Sequence, residues 1–340
     1  MHRFYSIFIA SLLLIGCNSV PSETQLASMP GAGLSGLYAA CLDGHTLIAG
    51  GCNFPDKPVT EGGIKVFYST IYEVTETEAT PIAELPSPSA YGTYVQVGDK
   101  LYIAGGANSE GRLDSMLEVS NGEAGPEVKA LSPIPAAIEQ GAGAYLDGKI
   151  YLTAGLSPDG PSTAIYCYDI ESDSWETVGS IPEPFVQPVC TVTEKGLYIF
   201  GGYNPVEKVA KSYGYFVAWD GAAEKIDGPS ESHTHVGSAY ATIDGKLITS
   251  GGVNKDIFNY GFTVSGDELR EYQSQPVEAY QFRQEILSFD PETRAWETVL
   301  TSPHLARAGA AITKTASGLV NAGGELKPGI RCQEIWRFDI

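Results

Sequence analysis

Basic residues are scarce in this chain: 21 Lys and Arg stand against 41 Asp and Glu in 340 residues, a formal net charge of −20. Nucleic acid is a poor partner for such a surface, because binding rests on neutralising phosphates with cations. A self-repelling, water-facing exterior accounts for the charge, and a small anionic ligand would need a local basic group inside a pocket. Long helical patterns rich in Ala, Glu, Lys and Leu are missing too. Apolar runs are short and bounded by Gly, Pro, Asp and Asn, in a chain with 39 Gly, 12 Phe and 19 Tyr. This composition reads as all-β. Length alone allows two domains, but a closed β architecture uses it as one.

Cysteine is sparse: Cys17, Cys41, Cys52, Cys167, Cys190 and Cys332, with no C-x-x-C and no zinc spacing. Cys41, Cys167 and Cys190 lie in apolar β-like runs and read as small buried residues, and no disulfide pair is assigned. Beyond the first segment only His45, His233, His235 and His304 occur. These match no Tyr/His metal pattern of the copper-radical type.

Residues 1–17, MHRFYSIFIASLLLIGC, read as a targeting segment rather than structure. Arg3 gives a short positive start, and Ile7 to Ile15 give an apolar run too short to span a bilayer. Leu14-Ile15-Gly16-Cys17 resembles a bacterial lipoprotein signal. The resemblance implies a signal peptide over 1–16, lipidation at Cys17 and a tether over 17–21. It also implies a periplasmic protein anchored in the outer membrane, which meets the membrane only through that lipid. An ordinary cleaved signal peptide is the alternative, and it too implies export.

Apolar runs ending in glycine recur: TLIAGG (46–51), LYIAGG (101–106), IYLTAG (150–155), LYIFGG (197–202), LITSGG (247–252) and LVNAGG (319–324). Most follow an Asp-Gly or similar two-residue turn, a strong hairpin signal. Further β runs follow, such as AIYCYDI, EILSFDP and EIWRFDI, and then strands closed by proline, WETVGSIP (175–182) and WETVLTSP (296–303). Each unit is four strands, a to d. The unit resembles the kelch repeat, and six copies over 22–340 resemble a single six-bladed β-propeller. The last copy lacks strand d. SETQLASMP (22–30) has the pattern of that strand and is expected to close the last blade, leaving no open sheet edge there.

In a four-stranded meander the a–b turns lie on one face, and the b–c loops and d-to-a connections on the other. The a–b turns are too short to build a site. The other face carries the loop 52–68 and the long segment 253–284, which holds six aromatics. A loop of that length in a compact domain is functional or disordered, and the aromatics argue against disorder. Residues leading into strands a should line this face near the axis: Tyr91, Gln140, Gln187, His235 (or His233) and Arg307. A ring of neutral polar groups with a few cations suits a polyhydroxylated ligand.

After the glycines, the second position is Asn53, Asn108, Ser157, Asn204, Asn254 and Leu326. Asn tolerates left-handed backbone and turns the chain out of strand b. Asn53 and Asn254 are added as candidate ligand contacts. The sixth copy, NAGGELKPGIR (321–331), breaks the pattern by placing Glu325 after the glycines and turning at Pro328-Gly329. Glu325 and Arg331 then sit at the same end of one blade, on a short hairpin. The pair fits either a cross-hairpin ion pair or acid–base chemistry on an anionic ligand.

GGVNKDIFNYGF (251–262), LSFDPETRAW (287–296), RAGAAI (307–312) and GGELKPGIR (323–331) resemble the bacterial kelch-type sialic acid (N-acetylneuraminate) mutarotases, also called epimerases. GGCNFP (50–55) resembles a stretch near the other end of that family's chain, which implies a cyclically permuted branch. The resemblance implies interconversion of the α and β anomers of free sialic acid by ring opening and reclosure. It implies Glu325 as the proton shuttle, with Arg331 binding the sugar carboxylate or assisting proton transfer. It implies no cofactor and no metal. A non-catalytic kelch module binding a glycan or a protein on the same face is the other reading, since propellers host many functions.

Overall fold

The computed structural model describes residues 22–123 and 125–340. The expected signal peptide (1–16), Cys17 and the whole tether (17–21) lie outside them. The fold is a six-bladed β-propeller of antiparallel four-stranded sheets. Its innermost strands are Ser35–Leu42, Thr93–Val97, Ala142–Leu146, Val189–Thr193, Ala239–Ile243 and Ala311–Thr315. These define blades I to VI.

The last blade runs Ala311–Thr315, Gly318–Ala322, Ile335–Phe338, and its outer strand is Glu23–Gln25. The register is Glu23 to Phe338, Thr24 to Arg337 and Gln25 to Trp336. The ladder continues as Leu26 and Met29 donate backbone N–H groups to Ile335 and Gln333 oxygens. Leu26 and Met29 are buried in one cluster with Leu34, Leu37, Val320 and Ile335. Apolar burial, at about 1.5–3 kcal/mol for a fully covered side chain, therefore reinforces a strand of only three residues.

The glycine pairs are joints between blades. The N–H of the last glycine in the run donates to the next blade at Gly51–Ser89, Gly106–Ile138, Gly155–Phe185, Gly252–Arg307 and Gly324–Leu34. The Gly324 bond joins blade VI to blade I. The first glycine abuts the same backbone: a Cβ on Gly323 would lie 2.5 Å from the Leu34 carbonyl oxygen, closer than van der Waals contact allows.

A second ring of backbone bonds surrounds the axis. The N–H groups of Tyr91, Gln140 and Gln187 donate to the carbonyls of Gly36, Tyr91 and Gln140. Those of Gly309 and Gly36 donate to Gly237 and Gly309. All six ring residues have φ between 56° and 70°. Below them Tyr94 and Tyr240 line both the axial cavity and a 480 Å³ cavity at the opposite mouth. Their hydroxyls accept from Ile312 N (2.9 Å) and Gly143 N (2.7 Å).

Segment 253–284 is ordered and partly helical: Lys255–Gly261, Gly266–Ser274 and a 3-10 turn Val277–Tyr280. Asn254 caps the first helix by accepting from the N–H groups of Asp256 and Ile257. Among the described residues the five cysteines are free; Cys41 is half-buried and the other four are buried.

Candidate active site

The site starts from a two-stranded hairpin, Glu325–Lys327 against Ile330–Arg331, that places Glu325 directly opposite Arg331. Pro328-Gly329 makes the turn, as the sequence suggests, with Gly329 at φ 81°. Glu325 and Ala308 exchange backbone hydrogen bonds, which fix the hairpin on blade VI. Glu325 Oε1 lies 2.6 Å from Arg331 Nη1 and also accepts from the Gly329 N–H.

Arg331 is enclosed. Its side chain is 4 % exposed, its Nη2 donates to Tyr91 Oη at 3.4 Å, and its guanidinium carbon sits 5.3 Å from the centre of the Phe54 ring. The ring face attracts the cation. Burial pulls the arginine pKa down, but Glu325, Tyr91 and Cys52 oppose it and the net shift is upward. Arg331 therefore stays charged. Burial pushes the Tyr91 hydroxyl up, so it stays protonated.

Glu325 opens onto a cavity of 470 Å³, within the range of small-molecule sites. Its polar lining includes Gln140, Gln187, Asn254 and Glu325. The helical insert adds Ile257, Phe258 and Phe262, with Phe262 stacked on Tyr203 at 4.7 Å. Lys327 Nζ donates to the Gln275 carbonyl at 2.8 Å, tying the hairpin to the insert. The cavity thus joins a carboxylate and amides to an apolar wall, a pairing suited to a sugar that presents hydroxyls on one side and C–H faces on the other.

The structure brings Gln140, Gln187, Asn254 and Glu325 to this cavity, and Tyr91 and Arg331 beside it. Three other candidates do not line it. Asn53 is buried, donates to the Gly33 carbonyl and accepts from the Tyr68 hydroxyl, so its amide is used inside the first loop. His235 is buried and stacked on Trp296 at 5.2 Å. Burial, with help from Arg283, holds its pKa well below the ordinary value, so it is a neutral core residue. Arg307 is buried and braces the Gly323 carbonyl and the Glu334 carboxylate. The axial ring positions in blades V and VI belong to Gly237 and Gly309, two residues further along. The alternative His233 is tied to the Gln281 carbonyl. Sequence reasoning missed Cys52 and Phe54 as neighbours of Tyr91 and Arg331, and the helical form of the roof.

A sequence model of N-acetylneuraminate epimerase matches residues 132–340. The chain belongs to that family. It is 29 % identical over 243 residues to the N-acetylneuraminate epimerase of Yersinia enterocolitica, covering 65 % of this chain and 59 % of that protein. To that of Haemophilus influenzae it is 32 % identical over 220 residues, covering 59 % and 57 %. To N-acetylneuraminate epimerase 1 of Escherichia coli it is 28 % identical over 228 residues, covering 62 % and 60 %. The chain thus spans less than two thirds of the length of the curated relatives it matches. The solved structure of YjhT superposes with a TM-score of 0.63 over 91 % of this chain and 96 % of that one, at 13 % identity. That likeness concerns the fold. The family match runs from the end of blade II through blades III to VI and includes both Glu325 and Arg331.

Proposed function

We propose that this protein accelerates the interconversion of the α and β anomers of free N-acetylneuraminate. The observation that carries the reading is the Glu325–Arg331 pair, held 2.6 Å apart with Glu325 opening onto the 470 Å³ cavity. Family membership, and the relatives' names, supply the substrate. Glu325 accepts the proton of the anomeric hydroxyl as the ring opens and returns it on reclosure. Arg331 holds the carboxylate of Glu325 in place and adds positive charge near that of the substrate. Gln140, Gln187 and Asn254 face the sugar's polar groups, and the insert covers its apolar face.

The test is anomer exchange of N-acetylneuraminate followed by NMR. The intact protein speeds exchange, and Glu325→Gln lowers that acceleration by about 100-fold or more, the span of general acid–base catalysis. Binding without exchange, unchanged in Glu325→Gln, would instead favour a glycan-binding propeller.

We also propose that the chain is a cyclically permuted member of its family. A permuted relative keeps sequence order over only part of the ring. The start of the family match beside the end of strand Gly125–Leu131, at a blade boundary, supports this. Export as a lipoprotein acylated at Cys17 belongs to the same proposal and rests on the motif at 14–17.

A further inference from the structure

Ring opening of a cyclic sugar needs two proton positions: a base for the anomeric hydroxyl and a donor for the ring oxygen. Glu325 supplies the base. Arg331 is engaged with the Glu325 carboxylate and the Tyr91 hydroxyl, which suits it to orienting both rather than to giving up a proton. Among the groups beside the pair, Tyr91 is the one whose hydroxyl touches Arg331 directly.

Two observations set Tyr91 apart. First, it is the aromatic residue of the axial ring, holding φ 60° at a position that blades I, V and VI give to Gly36, Gly237 and Gly309 and blades III and IV to Gln140 and Gln187. Left-handed backbone is unfavourable for a residue with a Cβ, and bulky residues adopt it rarely. Its ring lies flat over Gly36, where a Cβ would meet it at 2.6 Å. Second, its hydroxyl lies 3.3 Å from Cys52 Sγ and accepts from Arg331 Nη2 at 3.4 Å. A phenol oxygen has two acceptor sites and one hydrogen. In the Cys52 contact either group can donate, so among the described residues the weakly accepting sulfur is the one partner open to the Tyr91 hydrogen. The hydroxyls of Tyr38 and Tyr94, by contrast, are engaged with Ser89 and the Ile312 backbone. Tyr91 lines the axial cavity, which shares Gln140 and Gln187 with the main cavity.

We propose that Tyr91 is a further catalytic residue, donating its hydroxyl proton to the ring oxygen of the sugar acid; this rests on the anomer-exchange reading. Glu325 takes the anomeric O–H proton and the electron pair left on that oxygen forms the carbonyl. The bond from the anomeric carbon to the ring oxygen breaks, and its electron pair leaves with the ring oxygen, which takes the Tyr91 proton. The phenolate is left against the Arg331 guanidinium. Rotation beside the carbonyl exposes its other face, and reclosure returns both protons, so nothing is consumed. Arg331 acts through both partners.

The experiment compares wild type and Tyr91→Phe, which keeps the ring and its packing, by anomer exchange of N-acetylneuraminate over a range of concentrations, together with thermal melts. The expected result is a fall in kcat of tenfold or more with KM and Tm unchanged. A Tyr91→Phe protein within twofold of wild type overturns the proposal and leaves the broader reading standing. A loss that appears in KM or Tm instead also overturns it, since that marks packing or binding. If wild type itself gives no acceleration, the broader reading fails and this one with it.

Discussion

Arg331 has less freedom than its place in a short hairpin suggests. Glu325, Tyr91 and Phe54 hold it on three sides, so gripping a substrate carboxylate directly would mean releasing Glu325. Its placement suits orienting Glu325 and polarising Tyr91. Glu183 shows the same logic in a structural role: its carboxylate accepts from Tyr213, Tyr215 and Asn204 at 2.7–2.8 Å. Burial pushes its pKa up, but the three donors outweigh burial and the net shift is down. The unfolded chain therefore takes up the proton first as pH falls. The stabilisation is complete above the ordinary glutamate range and is lost as pH drops through the folded value. Glu183→Gln should lower stability at pH 7 by about 1 kcal/mol, discounted for partial hydration. Urea melts at pH 7 and pH 4 should show the gap to wild type narrowing at the lower pH. Among site residues, Glu325 was legible because it breaks a repeat. Gly237 and Gly309 were not, because a glycine at a ligand-facing position carries no chemical signal, while His235 and Arg307 two residues earlier do.

Elements differed in the same way. The four-strand repeat was readable from glycine pairs and two-residue turns. The helices of 253–284 were not read, although cues were present: Asn254 before Asp256, and the spacing Ser265-x-x-Glu268 typical of a capping box. The Ser265 side chain makes no capping bond, so even that cue is only half realised. The closing strand was read from one weak likeness to WETVGSIP. Its hold on the blade comes from the residues just after it, since Leu26 and Met29 are 8 % and 2 % exposed. Deleting residues 22–30 should lower Tm by about 10 °C or more, because two buried side chains and a ladder are lost together. It should also expose the Ile335–Phe338 edge to pairing with other chains. Calorimetry and light scattering on the truncated protein would check both, and an unchanged Tm would show the strand to be dispensable.

At the scale of the whole molecule, the propeller was legible because every blade repeats one local rule. The pairing of Glu23 with Phe338, over 300 positions away, was legible only because the last repeat lacked a strand; the seam between first and last blades, where Gly324 donates to the Leu34 carbonyl, carried no such signal. Glu325 and Arg331 stand on blade VI, Phe54 on blade I and Tyr91 on blade II, so the proposed reacting groups straddle that seam. The interval for which they stay assembled is then set by how long the seam stays shut, however firm the other joints are. Each brief parting of the two chain ends would interrupt turnover while leaving most of the secondary structure untouched.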